Sequence, residues 1–254
     1  MSLTARISLS QFLAAGLLLG GSWFCEAHSL ADDRAPASAG GAAESRSDSG
    51  IIEGQIFYSR DPQRPWRYAR YYVKGPVRGY LAEAVVTLQG TGLREASPSR
   101  ESRTANMDQR DFQFVPETLA IRAGDRVHFR NSDAQVHNVR TYDGIRPFNV
   151  NTPMGGEYTH LFERATGIRS PIRIGCSYHG QMRAWIFVFP HDFSHVTGAD
   201  GAFRWSGVPP GQYEIQVVHP AGSLRTSQPV TVRPGAVVPV EIELSPDHLV
   251  EEKP

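Results

Sequence analysis

Gly175-Cys176-Ser177-Tyr178-His179-Gly180-Gln181-Met182-Arg183 puts a thiol, an imidazole and a thioether into one short loop at C-x2-H-x2-M spacing. A thiolate, ring nitrogens and a weak thioether are the donors that hold a soft metal in trigonal geometry with a long axial sulfur, as in blue-copper electron-transfer sites. A further imidazole must then come from elsewhere in the chain. His137, within Arg130-Asn131-Ser132-Asp133-Ala134-Gln135-Val136-His137-Asn138-Val139, supplies it from a strand-like context of its own. Taken singly, a cysteine reads as a small hydrophobe and a methionine as a gap-filler. Two separate matches together make His137, Cys176, His179 and Met182 the expected ligands of one copper ion.

The N-terminus reads as a secretory signal over residues 1–27. Arg6 gives the positive start, residues 12–24 the apolar stretch, and Cys25-Glu26-Ala27 a cleavage site, with Ser29-Leu30-Ala31 as a second candidate. The apolar stretch is shorter than the ~20 residues of a membrane-spanning helix, so the expectation is a periplasmic or extracellular protein with no span in the mature chain. A lipid anchor at Cys25 is not expected, because Phe24 stands where a small residue should precede the cysteine. Once Cys25 leaves with the signal, Cys176 is the single cysteine and has no disulfide partner in an oxidising compartment. One thiolate excludes a binuclear copper centre, and the lack of any His-x-His pair removes the ligands of a trinuclear cluster.

The chain has 254 residues, room for one large or two small domains, and its 26 basic and 26 acidic residues balance to a net charge of 0. No global field draws it to nucleic acid or anionic lipid. Locally, Arg60, Arg64, Arg67, Arg70, Lys74 and Arg78 alternate with Trp66, Tyr68, Tyr71, Tyr72 and Tyr80. In an exported protein that segment reads as a hairpin with a solvated charged face, or as a docking patch for an acidic partner.

The elements that must position the ligands read as strands throughout. Residues 28–50, rich in Ala, Ser, Gly and Asp, form a flexible linker. Residues 51–58 and 83–88 are strands, and residues 94–106 are polar and break the pattern. From Phe112 a second unit begins, with Phe112/Phe114, Leu119/Ile121 and Val127/Phe129 at period two and a turn at Ala123-Gly124-Asp125; Pro116 confines its strand to an edge or bulge. Residues 142–157 read as a loop, 158–162 and 172–175 as strands, and 184–189 as a strand apolar on both faces. Beyond Pro190, Tyr213, Ile215 and Val217, then Val240, Ile242 and Leu244, alternate with polar neighbours, as a half-buried antiparallel sheet would.

Residues 114–125 (Phe114-Val115-Pro116-Glu117-Thr118-Leu119-Ala120-Ile121-Arg122-Ala123-Gly124-Asp125), His137-Asn138-Val139 and the 176–182 loop resemble the cupredoxin family, with a loop most similar to the amicyanin type and plastocyanin next. The resemblance implies a Greek-key β-sandwich in which His137, Cys176 and His179 are equatorial ligands, Met182 is axial, and the Asn138 backbone N–H donates to the Cys176 sulfur. It also implies a redox partner docking at His179, with Tyr178, Pro153 and Met154 around it. The chain departs from the family at Tyr178, where a proline is usual, and at Gly180. The segments after Pro190, together with Gly54-Gln55-Ile56-Phe57 and residues 82–88, look like the carboxypeptidase regulatory-like domain, a prealbumin- or immunoglobulin-like sandwich. The fold class is therefore all-β: residues 51–100 and 191–246 form one split sandwich, a cupredoxin of residues 101–190 is inserted in it, and 247–254 are a tail. The arrangement is similar to exported methylamine-utilisation-like proteins.

The leading function is a one-electron copper carrier. The alternative is a sandwich that binds carbohydrate or a surface polymer and uses copper structurally or as a store. An enzyme is not expected: no carboxylate pair or nucleophile triad stands out, and four ligands leave no open coordination position. Of the other imidazoles, His128 reads as solvent-facing or a polar neighbour, His160 as an exposed strand residue, and His191-x3-His195 and His219 as hydrogen-bonding groups rather than a second metal site.

Overall fold

Alternating strands can bury a face only by pairing, and here the pairing crosses a long stretch of sequence. The computed structural model describes residues 48–59, 63, 73–74, 79–97, 99–142 and 146–250. The signal, most of the linker, most of the basic aromatic segment and the last four residues of the tail lie outside them. The elements are β1 (Gly50–Tyr58), β2 (Val73–Lys74), β3 (Tyr80–Leu81), β4 (Val85–Gln89), the short helix α1 (Leu93–Ala96), β5 (Thr104–Arg110), β6 (Gln113–Val115), β7 (Thr118–Arg122), β8 (Asp125–Asn131) and β9 (His137–Thr141). They continue with β10 (Asn149–Thr152), β11 (Glu157–Phe162), β12 (Ile172–Gly175), β13 (Arg183–Phe189), β14 (Ser194–Val196), β15 (Ala202–Val208), β16 (Gly211–His219), β17 (Leu224–Val232) and β18 (Val237–Leu244). Among the described residues the protein is all-β apart from single helical turns.

Four sheets result. One runs β15-β1-β3-β2 with β18 also on β1, and a second runs β14-β4-β16-β17. These pack as an outer sandwich around Ile52, Ile56, Leu88, Trp205, Ile215, Leu224 and Ile242. Its strands come from both ends of the described chain, because β1 pairs with β15 and β18 and β4 pairs with β14 and β16. The other two sheets, β10-β9-β12-β13-β7 and β11-β8-β5-β6, are built from the sequence in between and enclose Met107, Phe114, Val127, Phe129, Ile174 and Ile186. A sandwich is thus inserted within a sandwich, and Val85 and Val218 of the outer one meet Ile168, Phe187 and Phe189 of the inner one in a third apolar cluster.

Charge closes the same seam. Arg100, just before β5, donates to both Asp125 oxygens at 2.6 and 2.7 Å and through Nε to Asp192 at 3.1 Å. Arg122 donates to the second Asp192 oxygen at 3.0 Å. Asp125 also accepts the Arg103 and Arg122 backbone N–H groups, so the β7–β8 turn, the entry and the exit of the inserted unit share one ion-pair network.

Some sequence expectations change. β18 runs parallel to β1, so the Val240–Leu244 alternation belongs to a mixed sheet; period two reports a buried face but not strand direction. β5 crosses the stretch read as pattern-breaking and β10 the stretch read as loop. Both hide from hydropathy because part of their inward face is polar: Gln109 is buried and donates to Thr152 Oγ1 at 2.9 Å. His160 is half-buried rather than exposed, packed 4.3 Å from the Phe148 ring, and burial lowers its pKa.

Candidate metal centre

β9 and β12 are antiparallel neighbours with Arg140 opposite Gly175, so three residues back along β9, His137 is carried toward the loop that leaves β12. That loop is closed by β12–β13 pairing, Gly175 opposite Arg183. Inside it, Met182 N–H donates to the His179 carbonyl at 2.9 Å and Cys176 N–H to the Met182 carbonyl at 3.4 Å. At the loop entry the Tyr142 ring lies over Gly175, where a Cβ would come within 2.4 Å of it and displace that exposed ring.

Three predicted donors converge. His137 Nδ1 lies 3.1 Å from His179 Nδ1, Cys176 Sγ lies 3.7 Å from His179 Nδ1, and all three atoms fall within 4.8 Å of one another. Nitrogen and sulfur ligands sit roughly 2.0–2.3 Å from a borderline metal, which spaces trigonal donors about 3.5–4 Å apart. The observed set fits one shared ion, and its His2Cys composition suits copper. His137 and Cys176 are fully buried and His179 half-buried. Among the described residues this is the only such group of three. Met182 is buried in the same loop and in the same apolar cluster as Cys176.

His137 is oriented by a carboxylate. Its Nε2 lies 2.7 Å from Asp133 Oδ2. Burial pushes the Asp133 carboxyl up, but hydrogen bonds from the Phe112 N–H, His137 and the Asp111 N–H outweigh it and hold the pKa below the usual range. An ionised carboxylate can only accept, so Nε2 carries the proton and Nδ1 presents its lone pair to the ligand cluster. The loop bearing Asp133 is shaped by Asn131, whose Nδ2 donates to the Gln135 and Thr152 carbonyls and whose Oδ1 accepts the Asp133 N–H.

The same carboxylate accepts the N–H groups of Asp111 at 2.7 Å and Phe112 at 3.0 Å. These two residues form the two-residue hairpin between β5 and β6, with Arg110 opposite Gln113, and have φ of 55° and 58°. Such turns favour Asn-Gly; left-handed backbone costs an ordinary L residue about 1–2 kcal/mol. The conformation lays the Phe112 ring edge-on against His137 at 5.5 Å and His179 at 4.9 Å. Neither Asp133 nor Phe112 was singled out from the sequence. The one sequence signal that could have found Asp133 is a carboxylate four residues before a predicted ligand.

Asn138 acts through its side chain: Oδ1 accepts the Ser177 hydroxyl at 3.1 Å and N–H at 3.3 Å, and Nδ2 donates to Asn149. Tyr178 is exposed and its hydroxyl donates to Asn151 at 2.9 Å. Val136 and Tyr178, each next to a ligand in sequence, are large exposed apolar residues, and so are Phe112 of the hairpin and Met154, two residues past Thr152, which lies opposite His137. His128 is half-buried and lies 3.3 Å from Glu157. His191 is buried between the Phe189 and Phe193 rings, with burial lowering its pKa. His195 sits in β14, and His219 is buried with Nδ1 accepting the Gly222 N–H at 3.0 Å.

Residues 186–245 match the carboxypeptidase regulatory-like domain family. A search of curated protein sequences found no match. Similar solved structures include a purple cupredoxin from Nitrosopumilus maritimus, 22% identical over 34% of this chain and 99% of that one, with a TM-score of 0.30. Amicyanin from Paracoccus versutus is 19% identical over 41% of this chain and 98% of its own, with a TM-score of 0.30. A copper-containing nitrite reductase from Thermus scotoductus is 22% identical over 40% of this chain and 25% of its own, with a TM-score of 0.32.

Proposed function

We propose that this chain is an exported mononuclear type 1 copper protein that carries single electrons, with His137, Cys176 and His179 as equatorial ligands, Met182 as the axial one, and no enzymatic activity of its own. The supporting observation is the convergence of His137 Nδ1, Cys176 Sγ and His179 Nδ1 at 3.1 to 3.7 Å along the two measured edges. Copper held there would supply the one-electron Cu(I)/Cu(II) couple. The rest is the work of the chain. One sheet carries both the ligand-bearing strand β9 and the β12–β13 loop, so the donors need not rearrange on each cycle. Asp133 fixes the His137 tautomer, and the Ser177 contacts to Asn138 hold the loop just after Cys176. Outer-sphere transfer needs a close, weakly hydrated approach, and exposed Tyr178, Met154 and Val136 near the ligand loops suit a redox partner docking by His179.

The domain limits proposed are those of the sequence: a signal at 1–27, a linker at 28–50, the outer sandwich at 51–100 and 191–246, the cupredoxin at 101–190 and a tail at 247–254. No helix among the described residues is long and apolar enough to cross a membrane. Export is inferred from the signal alone.

Titration of the metal-free mature chain with Cu(II) tests the reading. One equivalent should give an intense thiolate-to-Cu(II) charge-transfer band that bleaches on reduction and returns on oxidation. Cys176→Ser should abolish the band while leaving the β-sheet circular dichroism intact. A colourless Cu(I) protein that cannot be oxidised would overturn the carrier role in favour of storage.

A further inference from the structure

The Asp111–Phe112 hairpin carries a backbone cost with no evident structural return. Aspartate suits the first position of such a turn between Arg110 and Gln113, but at the second, which glycine would close freely, Phe112 sits at a φ of 58°. Strain of this kind persists where the surroundings over-determine it, and it clusters at functional sites. Asp133 over-determines it: one carboxylate accepts both hairpin N–H groups and the His137 Nε2–H. The Phe112 ring lies against both imidazoles at 37% exposure, while His137 has none and His179 is half-buried. Its far edge borders a surface groove that also touches Gly180 and Gln181. On that side a side chain at Gly180 would meet open space, so the loop itself offers no second cover.

We propose that Phe112, pinned by Asp133, is a built-in cap that keeps water and small anionic ligands off the imidazole side of the metal centre. The inference rests on the copper reading for its purpose and on geometry alone for its existence. By sharing one carboxylate, the chain couples the cap to the orientation of His137, so ligand and cover are set together. A centre so capped would exchange electrons at His179 without admitting an inner-sphere ligand, as the carrier reading requires.

The test needs no bound metal. In the metal-free full chain, diethyl pyrocarbonate modification of each histidine is followed by mass spectrometry in the parent, Phe112→Gly and Phe112→Tyr, with His128 and His160 as internal references. Glycine accepts the φ of 58° at this position, so the open variant keeps the hairpin. Modification of His137 and His179 should rise several-fold in Phe112→Gly and stay at the parental rate in Phe112→Tyr, with the reference histidines unchanged. In the Cu(II)-loaded proteins, azide should produce a new absorption band only with Phe112→Gly. Equal modification of His137 in the parent and Phe112→Gly overturns the cap. A parent that forms no coloured copper site, with the several-fold rise intact, refutes the carrier function and leaves the cap standing.

Discussion

The two sandwiches solve the same packing problem by different means. In the outer one, β16 and β17 pair over nine residues without a break, and Ile52, Ile56, Leu88, Ile215, Val217 and Leu224 form an apolar core beside which Thr87, Thr197 and His219 are buried polar groups. The inner one also buries Gln109, Asn131, His137, Asn138 and Thr152, and spends a doubly left-handed hairpin on placing one ring. Regular alternation maximises apolar burial; a site that must aim donor atoms gives some of that up for hydrogen-bonded polar groups and strain. The outer sandwich reads as scaffold and the inner one as the part that has a task.

If that contrast is real, the two regions should respond differently to substitution. Leu224, fully buried in the outer core, should cost about 4 kcal/mol on truncation to alanine, measured by chemical denaturation, with the metal site's spectrum unchanged. A comparable loss of copper colour at full occupancy would break the separation of roles.

Acid should act next most strongly, on the outer sandwich and the seam. Desolvation lowers the His219 pKa to about 4, below its unfolded value near 6.5, so the unfolded chain binds the proton more tightly. The stability this residue supports is complete above pH 6.5 and is lost as pH falls toward 4, by up to about 3 kcal/mol. Asp125 adds to it lower down: burial raises its pKa, but Arg100 and the Arg103 and Arg122 N–H groups lower it further, so its contribution too is lost as pH falls through that depressed value. Denaturant midpoints from pH 7 to pH 4 should decline in the parent and less steeply in His219→Gln. A flat profile would contradict the burial of a neutral imidazole.

The smallest effect sharpens the contrast most. Phe112→Gly should change global stability by less than about 1 kcal/mol, because relief of the left-handed backbone offsets the lost ring contacts. Losing an aromatic ring at the site would then cost less than losing a leucine in the scaffold.

What the sequence made legible follows the same division. β16 and β18 announced themselves because Tyr213, Ile215, Val217, Val240, Ile242 and Leu244 alternate with polar residues, and all are buried. The donors His137, Cys176 and His179 stood out because thiol and imidazole at fixed spacing have a specific chemistry, and the structure brings them together. β5 and β10 escaped because strands that bury Gln109 and Thr152 carry a weak hydropathy signal. Asp133 and Phe112 escaped for a deeper reason. Their roles depend on a turn conformation and a three-way hydrogen bond that no local pattern encodes, and Phe112 looked like the first residue of an ordinary strand. The parallel pairing of β18 with β1 escaped too, because the two strands lie far apart in sequence and alternation carries no strand direction.

The claim on which the rest depends is that one copper ion is bound by two imidazoles and the Cys176 thiolate at once. X-ray absorption at the copper edge of the reconstituted chain addresses it directly. The copper-carrier reading requires a single metal with two nitrogen neighbours and one short sulfur neighbour, the sulfur vanishing in Cys176→Ser. A first shell of nitrogen and oxygen alone, identical in parent and variant, would contradict it.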